Sequence, residues 1–182
     1  MLMTGELTPQ SRRAALRENS GQARGGRTVP ETVIIKPALA RQFEEFIARG
    51  RILFFGAPCG YGKTALANAL IGRAPALRLH AGAPDFAVPK ASGAWRFLLI
   101  DDLQLLQDED DWQALCALIR AEPERRFVLV SRGAPPGCLM AFEYAGLMTV
   151  LRSDDLLFDR DDAHRLFQAC GVEVSDSELT SI

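Results

Sequence analysis

The chain has 182 residues, of which 48% are hydrophobic and 24% charged, a balance suited to one folded domain and not to a collagen-like, fibrous or wholly disordered chain. Lysine and arginine total 21 against 23 acids, a net charge of −2, so nothing in that sum favours nucleic acid, whose phosphates call for a basic footprint. Apolar runs such as Ile52 to Phe55 and Phe97 to Ile100 are far too short to cross a bilayer, and four scattered cysteines with no C-x-x-C pair speak against zinc or a disulfide framework and for a reducing, cytoplasmic setting.

In residues 1–30, Arg12, Arg13, Arg17, Arg24 and Arg27 lie among Ser, Gln and Gly without an aromatic residue. Such a segment has too little apolar surface to offset the entropy of ordering it, so a basic, disordered tail is expected. A nucleic-acid arm is the alternative. No apolar stretch follows Arg12 and Arg13, so no export signal is read.

From Val33 onward the pattern is regular. Pro37 opens a helix with Leu39, Phe43, Phe46 and Ile47 at helical spacing, and Gly50 closes it. Ile52 to Phe55 suits a strand buried on both faces. A glycine-rich turn over Gly56 to Gly62 leads into a helix from Lys63 to Ile71, ended by Gly72. Leu77 to His80 is a weak strand, and Ala81 to Ala94, with Gly82, Pro84, Pro89 and Gly93, reads as loop. Phe97 to Ile100 is a second buried strand running into Asp101 and Asp102. Asp108 to Asp111 suits a helix start, favoured by the macrodipole, and Trp112, Leu115, Cys116, Leu118 and Ile119 line that helix's inner face. Phe127 to Val130 and Met148 to Leu151 are further strands, with a Pro135–Pro136–Gly137 turn between them. Ala163, Leu166, Phe167 and Cys170 mark a helix stopped by Gly171. Ser175 and Glu178 have capping-box spacing for a new helix, and the chain stops about two turns later, so a longer parent protein is expected. Strands alternating with helices predict an α/β, three-layer sandwich around a mainly parallel five-stranded sheet. The expected divisions are a tail over 1–30, an α/β domain over 31–152, and the start of a helical extension over 153–182.

The stretch Gly56-Ala57-Pro58-Cys59-Gly60-Tyr61-Gly62-Lys63-Thr64 matches the phosphate-binding pattern G-x-x-x-x-G-K-S/T, with Ala57 at the first glycine position. A helix N-terminus offers unpaired N–H groups and a positive dipole end to a polyphosphate. Gly60 and Gly62 allow the backbone to wrap closely, Lys63 reaches the terminal phosphates, and the Thr64 hydroxyl ligates Mg²⁺. Ala57, Tyr61 and Ala65 complete the cradle. The strand Phe97 to Ile100 then delivers two acids to a sheet edge: Asp101 on the metal side and Asp102 to orient or deprotonate a water. Two acids in a solvated turn are the bland alternative. Arg132 follows the strand at Phe127 to Val130 and faces the same crevice in a parallel sheet, where it senses or stabilises a terminal phosphate, or is an exposed arginine without a role. The candidate catalytic set is therefore Lys63, Asp102 and Arg132. His80 and His164 read as structural or exposed.

Together these stretches resemble the nucleotide-binding domain of MalT-like, LuxR-type transcriptional regulators, in the STAND (NB-ARC-like) class of P-loop signal-transduction ATPases. The similarity runs through Ile34-Ile35-Lys36-Pro37, Ala57-Pro58-Cys59-Gly60-Tyr61-Gly62-Lys63-Thr64, Leu98-Leu99-Ile100-Asp101-Asp102-Leu103, Val128-Leu129-Val130-Ser131-Arg132 with Pro135-Pro136, and Asp155-Leu156-Leu157-Phe158. The resemblance implies ATP or ADP with Mg²⁺ as cofactors, adenine contacts from the backbone near Val33, Ile34 and Ile35, and a phosphate-sensing role for Arg132. It further implies a slow ATPase switch that self-associates or closes on partner domains, with DNA bound only through a region absent from this chain and no membrane contact. The crossover from Ala81 to Arg96 is short for a covering helix, which leaves one side of the sheet open to question. An active ATPase of the AAA+ or helicase-loader kind, and a degenerate P-loop fold used as an interaction surface, are the competing readings.

Overall fold

The computed structural model describes residues 33–90 and 93–174. The expected basic tail and the capping-box helix at Ser175 lie outside them. The described residues belong to a unit spanning Thr32–Ile182.

Five short strands build the sheet, and three of them, over 52–56, 97–101 and 126–131, are apolar at odd and even positions alike, so neither face there can be left to water. The five are β1 (Ile52–Gly56), β2 (Ala76–His80), β3 (Phe97–Asp101), β4 (Arg126–Ser131) and β5 (Met148–Arg152). All pair in parallel, in the order β2-β3-β4-β1-β5. In chain order, the helices are α1 (Pro37–Arg49), α2 (Lys63–Ile71), α3 (Glu109–Ala121), α4 (Met140–Tyr144), α5 (Ser153–Leu156) and α6 (Arg160–Ala169), with single 3-10 turns at Leu103–Leu105 and Gly137–Leu139.

Strand alternation sorts the core into two layers. Leu53, Phe55, Leu99, Val128 and Val130 face Leu39, Phe43 and Phe46 of α1, Leu66 and Ile71 of α2, and Leu156 of α5. Ile52, Phe54, Leu98, Ile100 and Leu129 face Leu115, Leu118 and Ile119 of α3 and Phe142 of α4. Proline at the first position of α1 is tolerated because that N–H has no helical partner. The predicted acidic helix start is observed: Asp108 caps α3 by accepting from the Asp110 N–H at 3.0 Å, with Glu109, Asp110 and Asp111 in the first turn.

Two details differ from the sequence reading. The crossover after β2 carries no helix, yet Phe86, Val88 and Trp95 lie partly buried against the α3-side core, so loop side chains cover the sheet there. Trp112 is only partly buried, and its indole N–H donates to the Leu106 carbonyl at 3.2 Å, a polar need that a fully apolar core site would leave unmet.

Candidate functional site

β1 ends at Gly56, and the turn that follows enters α2 at Lys63. Gly60 and Gly62 have φ of +91° and +67°, a left-handed backbone that L side chains resist. A Cβ at either would meet nothing within 4 Å, so the demand for glycine is torsional. At Gly56 it is spatial, since a Cβ would stand 2.8 Å from the Gly133 carbonyl oxygen. Ala57 is buried in the α2-side core, with its N–H directed to the Ser131 carbonyl at 3.4 Å. The N-terminus of α2 has no side-chain cap and no acid in its first turn, so its N–H groups and dipole remain available to an anion. Lys63 is 8% exposed, and its ammonium folds back over the turn to donate to the Pro58 carbonyl at 2.7 Å. Thr64 is exposed beside it, Ala65 is half-buried, and Tyr61 leans on the α2-side core.

Asp101 closes β3, and its carboxylate accepts from the Asp102 N–H at 2.8 Å. Asp102 has φ of +50°, the left-handed region that Asp enters more readily than most residues. That twist turns its carboxylate into a set of three partners. Gln104 donates to Oδ1 at 2.6 Å, His80 Nε2 lies 3.0 Å from Oδ2, and the Arg132 guanidinium lies 3.4 Å from Oδ1. The Gln104 hydrogen bond, aided by His80 and Arg132, holds the Asp102 carboxyl below the ordinary value of 3.8 against the opposing effect of burial. Gln104 also accepts from the Arg132 backbone N–H at 3.0 Å. The first turn after β3 is thereby tied to the loop after β4.

The sheet order sets the spacing. β1 and β3 both flank β4, so the phosphate-type turn and the acid pair stand about 10 Å apart along one carboxyl edge, with Ser131 and Arg132 between them. This is the crevice where ligands bind in open parallel sheets. On the β5 side, a cavity of about 360 Å³ is lined by Ala57, Pro58, Arg132, Gly133, Arg152 and Asp154.

Every predicted polar site residue thus belongs to this edge, but Arg132 turns its guanidinium to Asp102. Ile34 is half-buried, and Val33 and Ile35 pack on the same core layer as Tyr61. Lys36 anchors that segment, donating to the Leu157 and Asp155 carbonyls at 2.7 and 3.3 Å and lying 3.9 Å from the buried Asp162 carboxylate. Sequence reasoning singled out neither Gln104 nor Arg152, and it read His80 as structural or exposed without its place 3.0 Å from Asp102. The signal for His80 was its place as the last residue of β2, paired in register with Asp101. That register is invisible in one sequence.

Among the described residues, no cluster of three or more His, Cys, Asp or Glu could hold a metal ion. One exposed hydroxyl (Thr64) and one carboxylate (Asp101) still fit Mg²⁺, which takes few protein ligands and completes its shell with phosphate and water. No described helix is long and apolar enough to cross a membrane.

No protein-family model matches the chain, and no curated protein matches its sequence. Among solved structures, the Walker-type ATPase of Pyrococcus abyssi is similar at 11% identity with a TM-score of 0.53, over 85% of this chain and 63% of that one. Drosophila ORC bound to DNA matches more distantly, at 11% identity and a TM-score of 0.41, over 63% of this chain and 91% of that one. Bacteroides Pif1 in complex with ADP-AlF4 does so at 12% identity and a TM-score of 0.41, over 82% of this chain and 49% of its own. The chain spans less than two thirds of the Pyrococcus protein's length. At these identities the likeness is one of fold: this is an α/β P-loop NTPase fold with an all-parallel five-stranded sheet.

Proposed function

We propose that this chain is the Mg-ATP-binding switch module of a STAND-type, LuxR- or MalT-like regulator, in which binding controls activation and hydrolysis is slow. Lys63, the uncapped start of α2 and the left-handed glycines receive the phosphates. Thr64 and Asp101 would hold a magnesium ion, which when bound would supply positive charge against the phosphates. Ile34 and Ile35 give the adenine an apolar, backbone-lined neighbour.

The observation that carries the switch reading is the Arg132–Asp102 pair. A guanidinium with one partner in hand and a terminal phosphate as a competing one has two arrangements. ATP, but not ADP, offers the second partner, which is the differential contact that a population shift requires. The same pair supports slow turnover, because an Asp102 engaged by Gln104, His80 and Arg132 is a poor base for water.

An active ATPase of the AAA+ or helicase-loader kind is the second reading. It is favoured by the one-strand gap between β1 and β3, wide enough for a water between phosphate and acid.

Phosphate release separates the two. The switch reading expects single-turnover behaviour or slower on a minutes timescale, and Arg132→Ala should bring the affinities for ATP and ADP together. Sustained multiple turnover by the wild-type chain would overturn it in favour of the enzyme.

A further inference from the structure

Away from the phosphate edge, two thiols sit side by side. Cys116 lies on the inner face of α3, 4% exposed, while Cys138 lies exposed in the 3-10 turn Gly137–Leu139. The Cys116 thiol donates to the Cys138 carbonyl at 3.7 Å, which sets the buried sulfur against the exposed residue. Burial, reinforced by the Cys138 thiol, pushes Cys116 up to about 11, so it stays protonated and inert towards solutes. The two thiols thus differ in access: Cys138 is open to solutes, while Cys116 is enclosed with its sulfur on the Cys138 backbone.

We propose that Cys116 and Cys138 form a redox-responsive dithiol that hydrogen peroxide closes into a disulfide. The Cys138 thiolate attacks one peroxide oxygen, the O–O bond breaks, and the departing hydroxide takes up the proton that Cys138 released. Cys138 is then a sulfenic acid. Cys116 loses its proton as its sulfur attacks the Cys138 sulfur. The S–O bond breaks, and hydroxide leaves with that proton as water. In balance, two thiols lose two electrons and one peroxide becomes two waters. The new bond joins α3, which follows Asp101 and Asp102, to the segment that follows Arg132. It stands on the packing of α3 and does not depend on nucleotide binding.

The test uses the full chain with Cys59→Ser and Cys170→Ser, treated with hydrogen peroxide, quenched, unfolded and alkylated. The expected result is an intact mass lower by two hydrogens, no alkylation, a linked peptide pair containing Cys116 and Cys138, and full reversal by dithiothreitol. Adding Cys138→Ser, a surface change, should abolish the link and leave Cys116 alkylatable. Addition of two or three oxygens to Cys138 with Cys116 still alkylatable would overturn the proposal. So would a disulfide formed only between chains.

Discussion

The Asp102 carboxylate accepts from Gln104 while His80 and Arg132 stand within 3.0 and 3.4 Å of its oxygens. Its folded pKa is lowered chiefly by Gln104, so the native chain holds this proton less readily than the unfolded one. The resulting stabilisation is present above the ordinary value of 3.8 and is lost as pH falls through the lower folded value. Gln104→Leu removes the main cause. Urea midpoints should therefore fall less steeply in the variant than in the wild type as pH drops from about 5 to about 3. Equal slopes would mean that Gln104 does not hold the carboxylate in solution. The same residue explains a limit of sequence reading. Asp101 and Asp102 stand out because an apolar strand runs straight into them, whereas His80 and Gln104 become partners only once β2 lies beside β3 and the chain turns left-handed at Asp102.

At the scale of elements, the glycines between β1 and α2 have different reasons to be glycine. Gly62→Ala adds a methyl to open space but forces an L residue to φ of +67°, a cost of about 1–2 kcal/mol. Gly56→Ala instead drives a methyl into the Gly133 carbonyl at 2.8 Å and must displace the β4 loop that carries Arg132. Thermal melts should show both variants destabilised. Only Gly56→Ala should also shift the backbone amide NMR signals of residues 131–134 in the absence of nucleotide. The converse pattern would invert the assignment. The boundaries of α1 and α2 were readable because Pro37, Gly50 and Gly72 punctuate regular apolar spacing. α4 was not, because five residues carry too little periodicity, and its place comes from Phe142 and the preceding Leu139 docking into the core.

Across the whole molecule, the sheet is covered by helices except at the β2 flank, where the loop side chains Phe86, Val88 and Trp95 stand in for a helix. Trp95 meets the Phe127 ring edge-on at 6.3 Å and lies under the Arg125 guanidinium at 3.7 Å. Trp95→Ala should cost about 2–3 kcal/mol in chemical denaturation, below the range for a fully buried aromatic because the indole is only partly covered. A change under about 0.5 kcal/mol would show that the loop is not part of the folded core. The parallel α/β plan was legible because every strand except β2 is a short apolar run. β2 alternates half-buried and exposed positions at the sheet edge, so its composition says little. The most direct measurement of the central claim is calorimetric titration of Mg-ATP into the wild-type chain and into Lys63→Ala. The account predicts saturable, magnesium-dependent heat for the wild type and its loss in the variant. Absence of heat from the wild type at millimolar Mg-ATP, or equal binding by Lys63→Ala, would contradict it.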